Sequence, residues 1–156
     1  INDHYLQINS DYIGCVDDTC LATGELLAVK DTPFDFNKRK RIGQDLEADH
    51  IQLKNAFGYD HSFVLNGTEN QLTLEEPVSG RRLIISTTAP VVQVYTGNFL
   101  KDGCIGKAGR VYENREGVAL ETQLMPNAIN TEENPSTILR KGDKFESNTK
   151  YVFEIM

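Results

Sequence analysis

The sequence predicts an all-β chain built as an antiparallel β-sandwich. Short runs alternate apolar and polar residues with period two, and Gly, Pro, Asn and Asp punctuate them, as in strands joined by tight turns. No longer segment carries a 3.6-residue apolar period. The length of 156 residues allows one ordinary domain, or part of one.

Taken in order, residues 4–8 read as the first strand and 12–17 as an irregular extended stretch. A Thr23-Gly24 turn precedes a short strand at 26–29. Residues 31–36 should be extended, because Pro33 disfavours helix at Thr32, with Phe34 and Phe36 on one face. Residues 42–46 suit a brief helical turn, and 49–57 fit either one or two helical turns or a loop. Strands then follow at 62–65, 71–75, 82–87, 91–95, 118–123 and 151–155. The second and third of these flank Pro77-Val78-Ser79-Gly80 and should pair as a hairpin. Asn66-Gly67 reads as a turn rather than a glycosylation acceptor, and 139–143 as a turn before the last strand.

Hydrophobic residues make up 39% and charged residues 25%, the balance of a globular chain. No run is long enough to span a membrane. A formal net charge of −7 opposes a polyanionic partner, since nucleic-acid binding depends on phosphate neutralisation by Lys and Arg. The basic run Lys38-Arg39-Lys40-Arg41 reads as a solvated helix start or loop amid acidic neighbours. Cys15, Cys20 and Cys104 match no metal or redox spacing and read as free thiols of a reducing compartment, the cytoplasm.

His4, His50 and His61 are isolated from one another and from Cys or carboxylates at ligand spacing, so no metal site is expected. Gly103, Gly106 and Gly109 form a small-residue loop without the following helix that phosphate binding needs, and read as a plain connection. Asp60 and His61 are adjacent in a strand and should face opposite ways. Glu121 lies in the run Val118-Ala119-Leu120-Glu121. On pattern alone it either faces solvent, the stronger reading, or sits in a lined cavity with a raised pKa, suited to taking a proton.

Five segments in order resemble the aldose 1-epimerase, or galactose mutarotase, family. They are Gly24-Glu25 with Thr32-Pro33-Phe34-Asp35-Phe36; Gly58-Tyr59-Asp60-His61-Ser62-Phe63-Val64-Leu65; Ser79-Gly80-Arg81; residues 87–98, with Gln93-Val94-Tyr95-Thr96-Gly97-Asn98; and residues 120–130, beginning Leu120-Glu121-Thr122-Gln123. The resemblance implies a galactose mutarotase-like supersandwich, of which this chain (1–156) is the C-terminal half. It also implies interconversion of the α and β anomers of a hexose such as galactose or glucose, without a cofactor. Glu121 would be the general base, and Asp60 and Gln93 would hold sugar hydroxyls.

The family's two active-site histidines and its cleft arginine lie in the N-terminal half, and their motifs are absent here. The resemblance therefore implies that a separate N-terminal chain of the same protein supplies the acid; His4, His50 and His61 lie outside the catalytic positions. A noncatalytic carbohydrate-binding β-sandwich is the competing expectation. A hexose 6-phosphate epimerase would want cations for the phosphate, and none cluster near Asp60, Gln93 or Glu121 in the sequence. Neither nucleic acid nor membrane is an expected partner.

Overall fold

In a computed structural model, which describes residues 1–101, 105–131 and 137–156, the chain forms two five-stranded antiparallel sheets. The strands are β1 (Tyr5–Ile8), β2 (Ser10–Val16), β3 (Ala22–Ala28), β4 (Lys40–Arg41), β5 (Asp60–Leu65), β6 (Leu72–Glu76), β7 (Arg81–Thr87), β8 (Val91–Tyr95), β9 (Ala119–Gln123) and β10 (Thr149–Ile155). One sheet runs β10-β7-β6-β1-β4 and the other β3-β2-β5-β8-β9. A short helix, α1 (Ile51–Asn55), starts where the His50 ring accepts a hydrogen bond from the Gln52 N–H.

Strand alternation supplies one inward face to each sheet. From the first sheet come Leu6, Ile8, Leu72 and Ile85; from the second come Ile13, His61, Phe63, Val92 and Val94, all essentially inaccessible. Phe34, Phe36, Ile42, Leu53 and Tyr59 fill the space between and join both sheets in one core. Phe34 meets Tyr59, His50 and His61 edge-on, and Phe36 meets Tyr59 and Phe63. Each such buried ring contributes roughly 1.5–3 kcal/mol by leaving water. One pair of threonines ties the sheets across this core, Thr122 of β9 meeting Thr149 of β10 at 2.9 Å, and within the first sheet Thr149 meets Thr87 of β7 at 2.8 Å.

The all-β expectation and the β6–β7 hairpin are both found, and 42–44 form a 3-10 turn. Three local expectations need correction. Thr23-Gly24 lies inside β3; the turn before it falls at Asp17–Cys20, where the Asp17 carboxylate accepts from the Thr19 and Leu21 N–H groups. Residues 31–36 are not extended. Thr32 Oγ1 donates to the Val29 carbonyl and accepts from the Phe34 N–H, and the Asp35 N–H returns to the Thr32 carbonyl, so the segment coils and drops both Phe rings into the core.

Asn66-Gly67 is a turn, with Gly67 at φ +71°, but it carries the chain from β5 in one sheet to β6 in the other. The basic run does not start a helix; Lys38, Arg39 and Arg41 are exposed as expected, but only its first two residues lie in a loop. Lys40 and Arg41 form β4, and Arg39, Lys40 and Arg41 are paired with Glu75, Asp45 and Asp3. Cys15 and Cys20 are free thiols, while Cys104 and Gly103 lie outside the described residues.

Both sheets keep open edges. Tyr151, Phe153 and Ile155 of β10 share the face of Ile85 and Leu83, their register partners being Ile85, Leu83 and Arg81. They are nonetheless 49%, 78% and 74% exposed, an apolar strip that nothing among the described residues covers. β9, with Glu121, is the edge of the second sheet.

Candidate active site

The outward face of the second sheet collects the polar residues. Asp60 and Ser62 are two apart on β5 and therefore share that face, while His61 and Phe63 point into the core. Ser62 is the register partner of Gln93 on β8, and Gln93 is the partner of Glu121 on β9. A row Ser62, Gln93, Glu121 thus crosses three strands. The sequence-predicted residues Asp60, Gln93 and Glu121 come together on this one face.

Hydrogen bonds fix part of the row. The Gln93 amide nitrogen donates to Asp60 Oδ1 at 2.7 Å, and the Ser62 hydroxyl donates to Gln93 Oε1. Burial pushes the half-buried Asp60 carboxyl up from its ordinary value, and the Gln93 N–H, which favours the carboxylate, opposes that rise. Glu121 is exposed, and among the described residues it has no side-chain partner. It is free to meet a ligand laid across the face.

Beside Asp60 the face is notched. A cavity of about 70 Å³ is lined by Gly14, Cys20, Asp60, Ser62, Gln93 and Met125, among others. Gly14 keeps it open: a Cβ there would stand 3.1 Å from Met125 Sδ and 3.8 Å from Ser62 Cβ. At roughly 30 Å³ per water, the notch takes a couple of waters or one projecting polar group of a ligand, whose remainder would lie over the open sheet. Ser62, Gly14, Cys20 and Met125 were not assigned to the site from sequence. Ser62 was the one within reach, because the period of two that separates Asp60 from His61 puts Ser62 beside Asp60.

A wider cavity, about 670 Å³, lies against α1 between Glu47, Asp49, Lys54, Phe57 and Arg115. It is not the better candidate. Lys54 pairs with Asp49, and Arg115 donates to Asn98 Oδ1 and the Phe57 carbonyl, so its cations are already engaged by the protein.

No histidine lines the notch. His61 is buried on the opposite face, its Nε2 3.2 Å from Gln52 Oε1, and burial followed by the charge of His50 lowers its pKa to about 3. It is neutral at physiological pH and screened from the row by its own strand. His50 caps α1. His4 is lowered chiefly by burial and then by the N-terminal ammonium. Among the described residues no three His, Cys, Asp or Glu side chains converge on a metal position, and no helix is long and apolar enough to cross a membrane.

Comparison with known proteins places this geometry. The sequence profile of the family described as aldose 1-epimerase matches residues 1–152. Human galactose mutarotase is 38% identical over 99% of this chain and 45% of its own length. Escherichia coli aldose 1-epimerase is 34% identical over 98% of this chain and 45% of its own. The crystal structure of a GalM/aldose epimerase homologue from Caenorhabditis elegans superimposes with a TM-score of 0.88 at 30% identity, over 99% of this chain and 46% of that one. Galactose 1-epimerase from Lactobacillus acidophilus gives 0.75 at 31%, over 99% and 44%. The chain therefore spans somewhat under half the length of these relatives. With the profile match running through both sheets and the polar row between Ser62 and Glu121, this chain belongs to the aldose 1-epimerase family.

Proposed function

We propose that this chain is the C-terminal half of an aldose 1-epimerase domain and supplies the base and part of the sugar cradle for anomerisation of a hexose such as galactose or glucose. The observation that carries this is the register of Gln93 with Glu121, which sets an unpaired carboxylate beside the Asp60–Gln93 pair on an open, polar face. Glu121 is the general base, and Asp60 and Gln93 bind sugar hydroxyls. The acid, a histidine, comes from an N-terminal half of the same protein, in keeping with the relatives' greater length.

In the reaction Glu121 takes the O1 proton, the electron pair of that O–H bond forms the C1 carbonyl, and the C1–O5 bond breaks. The acid protonates the ring oxygen as it leaves. The open-chain aldehyde rotates about C1–C2 and recloses on its other face, returning both protons. A positioned base contributes roughly 100- to 10,000-fold. Asp60, held by Gln93 and half-buried, accepts from hydroxyls, and Gln93 retains a second amide N–H for a sugar oxygen. Among the described residues no Lys or Arg lines the notch, which suits a neutral hexose rather than a sugar phosphate.

The test is polarimetry of fresh α-D-galactose with the chain completed by its N-terminal half, alongside an intact-mass spectrum. Acceleration by the native protein and a loss of at least about 100-fold in Glu121→Gln are expected. Sugar binding without anomerisation, unaffected by that substitution, would establish instead a noncatalytic carbohydrate-binding sandwich.

A further inference from the structure

Gln93 is held at both ends of its amide, and only one of those ends is a residue that the proposed reaction uses. Its nitrogen donates to Asp60 and its oxygen accepts from Ser62. Ser62 is itself only 3% exposed, and its hydroxyl proton is committed to Gln93, so it presents little to a sugar. A glutamine side chain has three rotatable bonds and loses much freedom when ordered. Asp60 Oδ1, accepting at 2.7 Å, selects which way the amide faces, because only the nitrogen end of Gln93 can donate to it. The hydroxyl of Ser62 then fixes the plane of that amide from the other side, and the second N–H of Gln93 is left directed by two contacts rather than one. Gly14 beside Ser62 keeps this end of the row free of side-chain bulk.

We propose that Ser62 is a positioning residue for substrate binding, acting through the Gln93 amide and not by touching the sugar. This rests on the mutarotase reading above. Because Gln93 binds hydroxyls that do not react, losing Ser62 loosens the ground state and the transition state alike. Removing one neutral hydrogen bond corresponds to roughly three- to tenfold in affinity.

The experiment uses the chain completed by its N-terminal half, with kcat and KM measured separately for Ser62→Ala, Ser62→Thr and Ser62→Val. Thr keeps the donor, and Val is its isostere without one. Ala and Val should raise KM about three- to tenfold with kcat within about twofold of native, and Thr should stay near native. In a Gln93→Ala background, Ser62→Ala should add nothing further, since its partner is already gone. Additive effects in the double variant, an unchanged KM in Ser62→Ala, or equal damage by Thr and Val would each overturn the proposal. A readout free of activity separates the two readings. The Gln93 side-chain amide protons, followed by NMR, should shift and exchange faster with water in Ser62→Ala and stay native-like in Ser62→Thr. If the native protein fails to anomerise any hexose, the mutarotase reading falls while this measurement still decides the positioning role; an unmoved Gln93 signal in Ser62→Ala refutes it.

Discussion

Replacing Glu75 by Gln should destabilise the fold by about 2 kcal/mol at neutral pH, and the loss should fade in acid. Glu75 sits on β6 between two arginines: Arg39 Nε lies 2.5 Å from Oε2, and both Nε and a terminal nitrogen of Arg82 lie 3.0 Å from Oε1. Arg39 in turn stacks on the Tyr5 ring at 3.6 Å. Gln preserves volume and one acceptor but forfeits the charge assistance of both pairs, worth about 1 kcal/mol each when a charged hydrogen bond is exchanged for a neutral one. Arg39 and Arg82 are 47% and 34% exposed, so they rehydrate, and the cost stays below the roughly 3–5 kcal/mol of breaking a fully buried pair.

The pH dependence follows from the direction of the Glu75 shift. Burial pushes its carboxyl up, but Arg39 and then Arg82 outweigh that and hold it below the ordinary glutamate value. A carboxylate depressed in the folded state stabilises above its unfolded pKa of about 4.3, and that contribution disappears as pH falls through the lower folded value. Denaturant unfolding of native and Glu75→Gln protein, with the N-terminal half proposed above supplied, should give a gap of about 2 kcal/mol at pH 7 that narrows below about pH 4. A gap equally wide at both pH values, or absent at pH 7, refutes the reasoning.

Asn98→Ala should cost about 2–3 kcal/mol by the same unfolding measurement. It strips donors from the Ala56 and Tyr59 carbonyls and an acceptor from Thr96 Oγ1, all buried together; a loss under about 0.5 kcal/mol would show that water replaces it. The Cys20 thiol is raised by burial first, then by Asp60 and Asp17, so less thiolate exists at neutral pH. Alkylation followed by mass spectrometry should be slow, should quicken in Asp60→Asn, which removes one negative neighbour, and should be slowed further by saturating sugar, because Cys20 lines the notch. Residues 1–156 alone should aggregate or bind a hydrophobic dye through the Tyr151, Phe153 and Ile155 strip; a monodisperse preparation with a cooperative melt would contradict this.

The architecture was legible because it rests on alternation, and alternation is local. Runs such as Leu83-Ile84-Ile85-Ser86 and Val91-Val92-Gln93-Val94-Tyr95 announce strands without knowledge of their partners. What alternation does not carry is which sheet a strand joins. Asn66-Gly67 has the chemistry of a turn, yet whether the next strand pairs beside β5 or crosses to the other layer depends on the apolar surface waiting there. Residues 31–36 were misread for a related reason: Pro33 restricts Thr32, but the Thr32 hydroxyl offered the backbone a competing local bond. At the site, Glu121 could not be separated from an ordinary solvent-facing residue by pattern, and it is exposed. The family resemblance singled it out, and the register with Gln93 supplied its surroundings. The ion pairs of Arg39 and Arg41 were not legible because their carboxylate partners, Glu75 and Asp3, lie far off in sequence.

The threonine tie between the sheets bears on more than packing. A strand that slides by a single residue turns every side chain to its other face. Were β9 displaced by one against β8, Leu120 or Thr122 would stand opposite Gln93, the carboxylate would turn toward the core, and the hydroxyl pair joining Thr122 to Thr149 would be lost. Such a molecule could keep both sheets and much of its apolar interior while being chemically inert. The Thr122–Thr149 contact forms only in the correct alignment of β9, so it adds its small favourable energy to that register alone. The reward for aligning an edge strand correctly is then felt in the interior, one layer away from the face where the alignment matters.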